Sequence, residues 1–409
     1  MILALLLALL LGVAAGTFTG LSPGIHINLI SVILLSFSET LLTITSPLTL
    51  AIFITSMAIT HTFIDFIPSI FLGAPDEDSF LSILPGHKLL LEGKGYFAMI
   101  YTLYGGLAAL LIIIIFTPIF IFILPIFYPF IQKIMWLILI LLSLYLIFIE
   151  GKNKKIWAFI IFLLAGFLGI ASLNINIKEP LLPLFTGLFG ASNLIISIRQ
   201  NTKIPEQKIY PIKKIRINKK SLIKASLASI IASPFTAFLP GLGASQAAII
   251  GKESLNIKDQ REFLFLLGAI NTIVMGLSFI TLYSLQRTRT GAAVAISKLI
   301  PEMTIQNLLM IILAIIITGI LSFILGINLT KISARNITKI NYKVLSLSTL
   351  TILTIIVLIF SDLTVLGGII GIIIFITSSS LGIFTISKNI KRIHLMGCLL
   401  VPTILFYLL

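Results

Sequence analysis

Long apolar runs separated by short, mostly basic polar segments make up this chain from end to end. A helix crossing the hydrocarbon core of a bilayer needs about 20 mostly apolar residues, because each residue rises about 1.5 Å across about 30 Å. The stretches 134–149, 156–173, 181–198, 262–285, 305–327, 344–360, 363–386 and 393–409 read as such spans. Residues 47–72 are also long enough, and 97–131 suffices for one span plus a further piece, with breaks expected at Pro118, Pro125 and Pro129. The pattern predicts an all-α, polytopic integral membrane protein with roughly ten to twelve transmembrane helices. The opening run MILALLLALLLGVAAG has small residues at Val13-Ala14-Ala15. No Lys or Arg precedes it and apolar sequence follows, so it reads as a retained first helix rather than a cleaved signal.

Composition narrows the class. The chain is 58% hydrophobic and 11% charged, against about 45–50% and 25% for soluble domains, which excludes a water-soluble globule. Basic residues outnumber acidic ones by 29 to 14, a net charge of +15. The excess is concentrated in four segments: Lys152 to Lys155; Arg199 through Lys224, including Lys203, Lys208, Lys213, Lys214, Arg216, Lys219 and Lys220; Lys331 to Lys343 with Arg335 and Lys339; and Lys388, Lys391 and Arg392. Pairs of spans separate each from the next, so the positive-inside rule places all four at the cytoplasmic face of the plasma membrane and the C-terminus outside. Residues 199–224 then form a basic cytoplasmic linker between an N-terminal membrane repeat, 1–198, and a C-terminal one, 225–409. The linker lacks interleaved aromatics and reads as a topology signal beside anionic headgroups, not a nucleic-acid site. The acidic-basic segment 74–95 is not assigned to a side by its charge.

The single Cys398 cannot form an internal disulfide, and the four histidines lack metal-ligand spacing. No Gly-x-Ser-x-Gly elbow, His-Glu-x-x-His or paired-aspartate motif occurs, so we expect neither an enzyme nor catalytic or metal-ligating residues.

An internal repeat points to a ligand site. A shift of 217 residues sets GTFTGLSPGIHIN (16–28) on SPFTAFLPGLGAS (233–245), aligning Phe18 with Phe235, Thr19 with Thr236, Pro23 with Pro240 and Gly24 with Gly241. Proline removes a backbone donor and glycine permits irregular dihedrals, so each helix is expected to break at its Pro-Gly. Broken backbone at membrane depth survives only when buried in protein or lining a wet cavity. A helix restarting there aims free N–H groups at that cavity, which suits a small anion. Ser22, His26 and Asn28 in the first copy and Gly243, Ser245 and Gln246 in the second supply small or polar lining.

Further polar positions interrupt apolar runs. His61, Thr62 and Asp65 lie within 47–72, and the i, i+4 spacing stacks His61 over Asp65 as a candidate proton or cation relay. Asn271 and Thr272 sit at a comparable depth in the second half, with Arg287 and Arg289 closing that span as a candidate anion clamp.

With these features assembled, the chain resembles the large permease subunit of the tripartite tricarboxylate transporters, in its shorter archaeal-type branch. The resemblance covers most of the chain and rests on GLSPGIHINLI (20–30), APDEDSFLSILPGHKLLLEGKG (74–95), FLPGLGASQAAIIG (238–251) and Asn271 in NTIVMGLS. It implies an ion-coupled secondary transporter of di- or tricarboxylates, working with a small membrane subunit and an extracytoplasmic binding protein, with no cofactor beyond a coupling Na⁺ or H⁺. The family's substrate loops fall on Pro23-Gly24 and Pro240-Gly241. Two departures weaken transfer of a citrate-like specificity: Ala74-Pro75-Asp76 lacks the family's glycine, and Thr281-Leu282-Tyr283-Ser284 replaces a second-half Pro-Gly loop. The alternative is a translocase for a polyprenyl-phosphate lipid carrier, whose phosphate would suit Arg287 and Arg289.

Overall fold

The computed structural model describes residues 2–22, 34, 41–72, 83–148, 150–151, 154–200, 204–211, 215, 218–238, 243–288, 290–339, 342–362 and 364–409. Among them no strand occurs. Seven helices are long and apolar enough to cross a membrane, and four shorter apolar ones lie at 135–148, 181–196, 346–360 and 392–408. The all-α, multi-pass expectation holds.

In chain order the first half comprises α1 (Ile2–Leu21), α2 (Pro47–Ile64, extended by a π-helical Pro68–Leu72), α3 (Ile83–Leu91), α4 (Gly95–Lys133), α5 (Met135–Phe148), α6 (Lys155–Asn174), α7 (Leu181–Phe185) and α8 (Ser192–Gln200). The second half comprises α9 (Lys219–Phe238), α10 (Ala244–Ser254), α11 (Gln260–Leu285), α12 (Gly291–Leu299), α13 (Ile305–Asn336), α14 (Tyr342–Phe360), α15 (Val365–Ser387) and α16 (Gly397–Leu408). The 217-residue shift that aligns the two Pro-Gly motifs carries α1 onto α9 end to end.

Local chemistry sets where these helices begin. Ser46 accepts from the Thr49 N–H ahead of Pro47, and Asp259 accepts from the N–H groups of Arg261 and Glu262. Thr290, Thr304 and Thr364 cap α12, α13 and α15 in the same way. Each side-chain oxygen satisfies a first-turn backbone donor that has no partner within its own helix.

One expectation fails. Residues 95–133 form a single helix that continues through Pro118, Pro125 and Pro129. Phe122, Ile126 and Phe130 on that stretch are exposed apolar side chains. A break there would present unsatisfied backbone to lipid, which costs more than the single bond each proline removes.

Side-chain pairs fix helix directions. Ser56 with Thr318 and Thr60 with Ser322 show that α2 and α13 run parallel. Gly105 packs on the backbone of Phe265 and Ala269 while Gly276 meets Ile113, so α4 and α11 are parallel too. Leu103 meets Gly326 and Leu110 meets Gly319, so α4 and α13 are antiparallel. It follows that α2 and α11 run in opposite directions. A second, smaller bundle forms around Phe162, Leu184, Leu188, Cys398 and Leu400, from α6, α7, α16 and the π-helical turn after α7.

The linker is not a free connector. Lys208 N–H donates to Gly93 O at 2.8 Å, Gly95 N–H donates to Gln207 Oε1 at 2.7 Å, and Gln207 Nε2 donates to Leu90 O at 3.0 Å. The α3–α4 turn, with Gly93 at φ +74°, therefore lies on the linker's face. Charge alone left that side undecided.

Candidate functional site

In the second half Pro240-Gly241 lies in the chain between two packed helices. α9 ends at Phe238 and α10 begins at Ala244. Lys224 Nζ near the start of α9 donates to Asn256 O just past the end of α10, and Gly251 abuts Ala228 and Ala232. The chain thus enters and returns to one face as a helical hairpin, with Gly243 and the fully buried Ser245 beside its tip. In the first half α1 ends at Leu21, immediately before Ser22. Pro23, Gly24, His26, Asn28, Pro240, Gly241 and Arg289 lie outside the described residues, and so does the side chain of Gln246.

The polar positions of α2 converge on other helices. Asn271 Nδ2 on α11 donates to Asp65 Oδ2 at 3.0 Å and approaches Thr62 O at 3.4 Å. Thr62 Oγ1 pairs with Thr272 Oγ1 at 3.2 Å, joining the same two helices a turn away. His61 Nδ1 meets Thr19 Oγ1 of α1 at 3.1 Å. Two further hydroxyl pairs, Ser56–Thr318 at 3.0 Å and Thr60–Ser322 at 2.9 Å, tie α2 to α13. All of these side chains are buried. The end of α1 lies beside this cluster, because Gly20 packs against Ile64 and the Asp65 backbone N.

Close helix approach makes the pairing possible. Gly12, Gly16 and Gly20 recur every fourth residue on α1 and face the backbone or Cβ atoms of Phe53, Ser56, Met57, Thr60 and Ile64. Any larger side chain would push α1 off α2 and part Thr19 from His61. Thr19 and Gly20 entered the sequence reading only as repeat and motif positions, and Gly12, Gly16, Ser56, Thr60, Thr318 and Ser322 were not singled out, although the four-residue glycine spacing is a readable signal for close helix packing.

Arg287 lies elsewhere. It is exposed just past the end of α11, where Nη1 donates to Tyr128 Oη at 3.2 Å and the guanidinium sits 5.6 Å from that ring's centroid. At a rise of about 1.5 Å per residue, the helix end at Leu285, two residues before Arg287, already lies about 21 Å from Asn271. The structure does not bring Arg287 to the Asp65 cluster. Among the described residues no three His, Cys, Asp or Glu side chains group as metal ligands.

Comparison with known proteins identifies the family. The description of the tripartite tricarboxylate transporter TctA family matches residues 6–397. The chain belongs to that family. It is therefore a multi-pass membrane protein of a transporter family that works as tripartite systems. An uncharacterised protein of Methanocaldococcus jannaschii is similar to it at 32% identity over 400 residues, covering 97% of each chain. No solved structure matches.

Proposed function

We propose that the chain is the permease of an ion-coupled secondary transporter for a small organic anion, a carboxylate. The single observation that carries the reading is the buried Asp65–Asn271 pair, which joins α2 and α11 across the two halves of the chain. A carboxylate held inside apolar spans is costly and normally serves transport of a charge. In this reading Asp65, with His61 and the oxygens of Thr62 and Thr272, carries the coupling Na⁺ or H⁺. The anion sits at the helix ends beside Pro23-Gly24 and Pro240-Gly241, lined by Ser22, His26, Asn28, Gly243 and Ser245. The opposite directions of α2 and α11 support repeats of inverted topology, 1–198 and 225–409, that rock about this site to switch its exposure. The tripartite family supports a small membrane subunit and an extracytoplasmic binding protein as partners. The lipid-carrier alternative finds no comparable support, since Arg287, one of the two arginines that motivated it, engages Tyr128.

Reconstituted vesicles loaded with a panel of di- and tricarboxylates test this. Asp65→Asn is expected to lose accumulation driven by a Na⁺ or pH gradient while keeping counterflow exchange. Unchanged accumulation would return Asp65 to a packing role. Gly241→Leu is expected to abolish both activities without preventing insertion, and retained transport would remove the Pro-Gly break from the site.

A further inference from the structure

A second concave site lies where the linker straps the α3–α4 turn. There a cavity of about 360 Å³ opens on the face that carries the basic linker, a size typical of small-ligand pockets. Three cations line it from three separate parts of the chain: Lys94 in the turn, Lys208 in the linker and Arg261 in the first turn of α11. Its remaining walls are largely aromatic. Phe97 and Tyr210 stand 5.2 Å apart between ring centroids, and Arg261 reaches the Tyr101 hydroxyl.

Nearby carboxylates leave the positive balance standing. Glu92 pairs with Lys94 at 2.9 Å, and Asp259, which caps α11 through the Arg261 and Glu262 N–H groups, keeps its negative charge nearby, so the three lining cations outnumber these two carboxylates by one. Lys208 and Arg261 thus supply the charge that faces the cavity. A guanidinium fork beside an ammonium matches the several oxygens of a phosphate better than a single-point anion, and aromatic walls accept an organic body. The cavity is separate from the Asp65 cluster, because Asn271 lies ten residues further along α11 than Arg261, about 15 Å by helix rise.

We propose that this cavity binds a phosphate-bearing ligand, with Arg261 and Lys208 on the phosphate and Phe97 and Tyr210 against its organic body. A ligand so held bridges the linker, α4 and α11, and so links both halves of the chain. The phosphate comes from a soluble phosphorylated metabolite or from an anionic phospholipid headgroup at the same face.

The test uses the purified full chain. Its melting temperature is measured in detergent against ATP, inorganic phosphate and citrate, and in phosphatidylcholine nanodiscs with and without phosphatidic acid. The double variant Lys208→Gln/Arg261→Gln removes two exposed cations and should leave the fold monodisperse, while Lys331→Gln/Lys339→Gln is the charge-matched control. We expect a phosphate-bearing probe to raise the melting temperature, and the cavity variant to need roughly tenfold more of it or above, with the control unchanged. A shift with ATP assigns a soluble ligand, and a shift confined to phosphatidic acid assigns the headgroup. No shift in any arm, a shift that survives in the cavity variant, or an equal loss in the control overturns the site. An equal response to citrate overturns its phosphate selectivity.

Discussion

The two central spans and the outer ones differ in how deeply they are buried and in how many of their polar side chains meet another helix. In an apolar 18-residue stretch of Pro47–Leu72 and of Gln260–Leu285, 89% of the residues are buried, whereas the corresponding share in the other long spans is 39%. On the outer helices the hydroxyls fold back on their own backbone, as in Ser143 to Leu139 O, Thr351 to Leu347 O and Thr377 to Ile373 O. Such bonds hold in any arrangement of the helices and need no tertiary partner. On α2 and α11 such back-bonds also occur, as in Ser278, Thr281 and Ser284, but four polar contacts close across helices as well: Asp65 on Asn271, Thr62 on Thr272, Thr60 on Ser322 and His61 on Thr19. Any rearrangement that parts α2 from α1, α11 or α13 must therefore break bonds buried away from water.

This contrast can be broken by degrees. The largest effect is expected where backbones touch: a side chain at Gly105 would overlap the Phe265 carbonyl. Gly105→Leu should cost more than the about 1–3 kcal/mol typical of overpacking and yield no monodisperse protein, while Gly151→Leu, with nothing near its Cβ, should purify normally. Next, Asn271→Ala withdraws the amide from Asp65 and should cost about 1.5 kcal/mol, near the top of the range for interhelical bonds in membranes, together with loss of gradient-driven uptake. A purified variant with full accumulation would detach the pair from transport.

At the rim, Glu150 tests whether buried charge there is merely structural. Burial pushes its carboxyl up, but the Lys391 backbone N–H at 2.9 Å, the Lys391 ammonium and His394 outweigh that and hold it below the usual 4.5. A depressed folded value means that its stabilisation is complete above the ordinary carboxylate value and is lost as pH falls through the folded one. Glu150→Gln should therefore lower stability by about 1 kcal/mol at neutral pH and flatten the loss of melting temperature on acidification below 4.5, with transport intact. The smallest effect belongs to Thr318→Val, which deletes one hydroxyl pair on α2 and should cost about 0.6 kcal/mol in a denaturation series. A cost equal to that of Asn271→Ala would erase the distinction between the charged pair and the hydroxyl ladder.

Much of the scaffold was legible from residue order because a bilayer leaves few choices. A run of about 20 apolar residues must be helical, since nothing else satisfies its backbone in lipid. The same rule misled at Pro118, Pro125 and Pro129, where proline's local preference was weighed without the larger cost of opening a helix toward lipid. At the candidate site His61, Asp65 and Asn271 stood out because a charge or amide is rare in such runs. Thr19, Ser56, Thr318 and Ser322 did not, since a hydroxyl that bonds its own helix and one that bonds a neighbour look alike in sequence.

Apolar run length and the basic segments by themselves determined that this is an all-helical membrane protein, and the shared Pro-Gly register marked its two corresponding helices. Only tertiary structure decided that Asp65 meets Asn271 across 206 positions, that Arg287 turns to Tyr128, and that the linker straps the α3–α4 turn. The physical reason is one of range. Backbone satisfaction and hydrophobic matching act residue by residue, so composition encodes them. Pairing between distant helices depends on how closely the small residues of α1, α4 and α11 let backbones approach, and that is settled only when the helices pack.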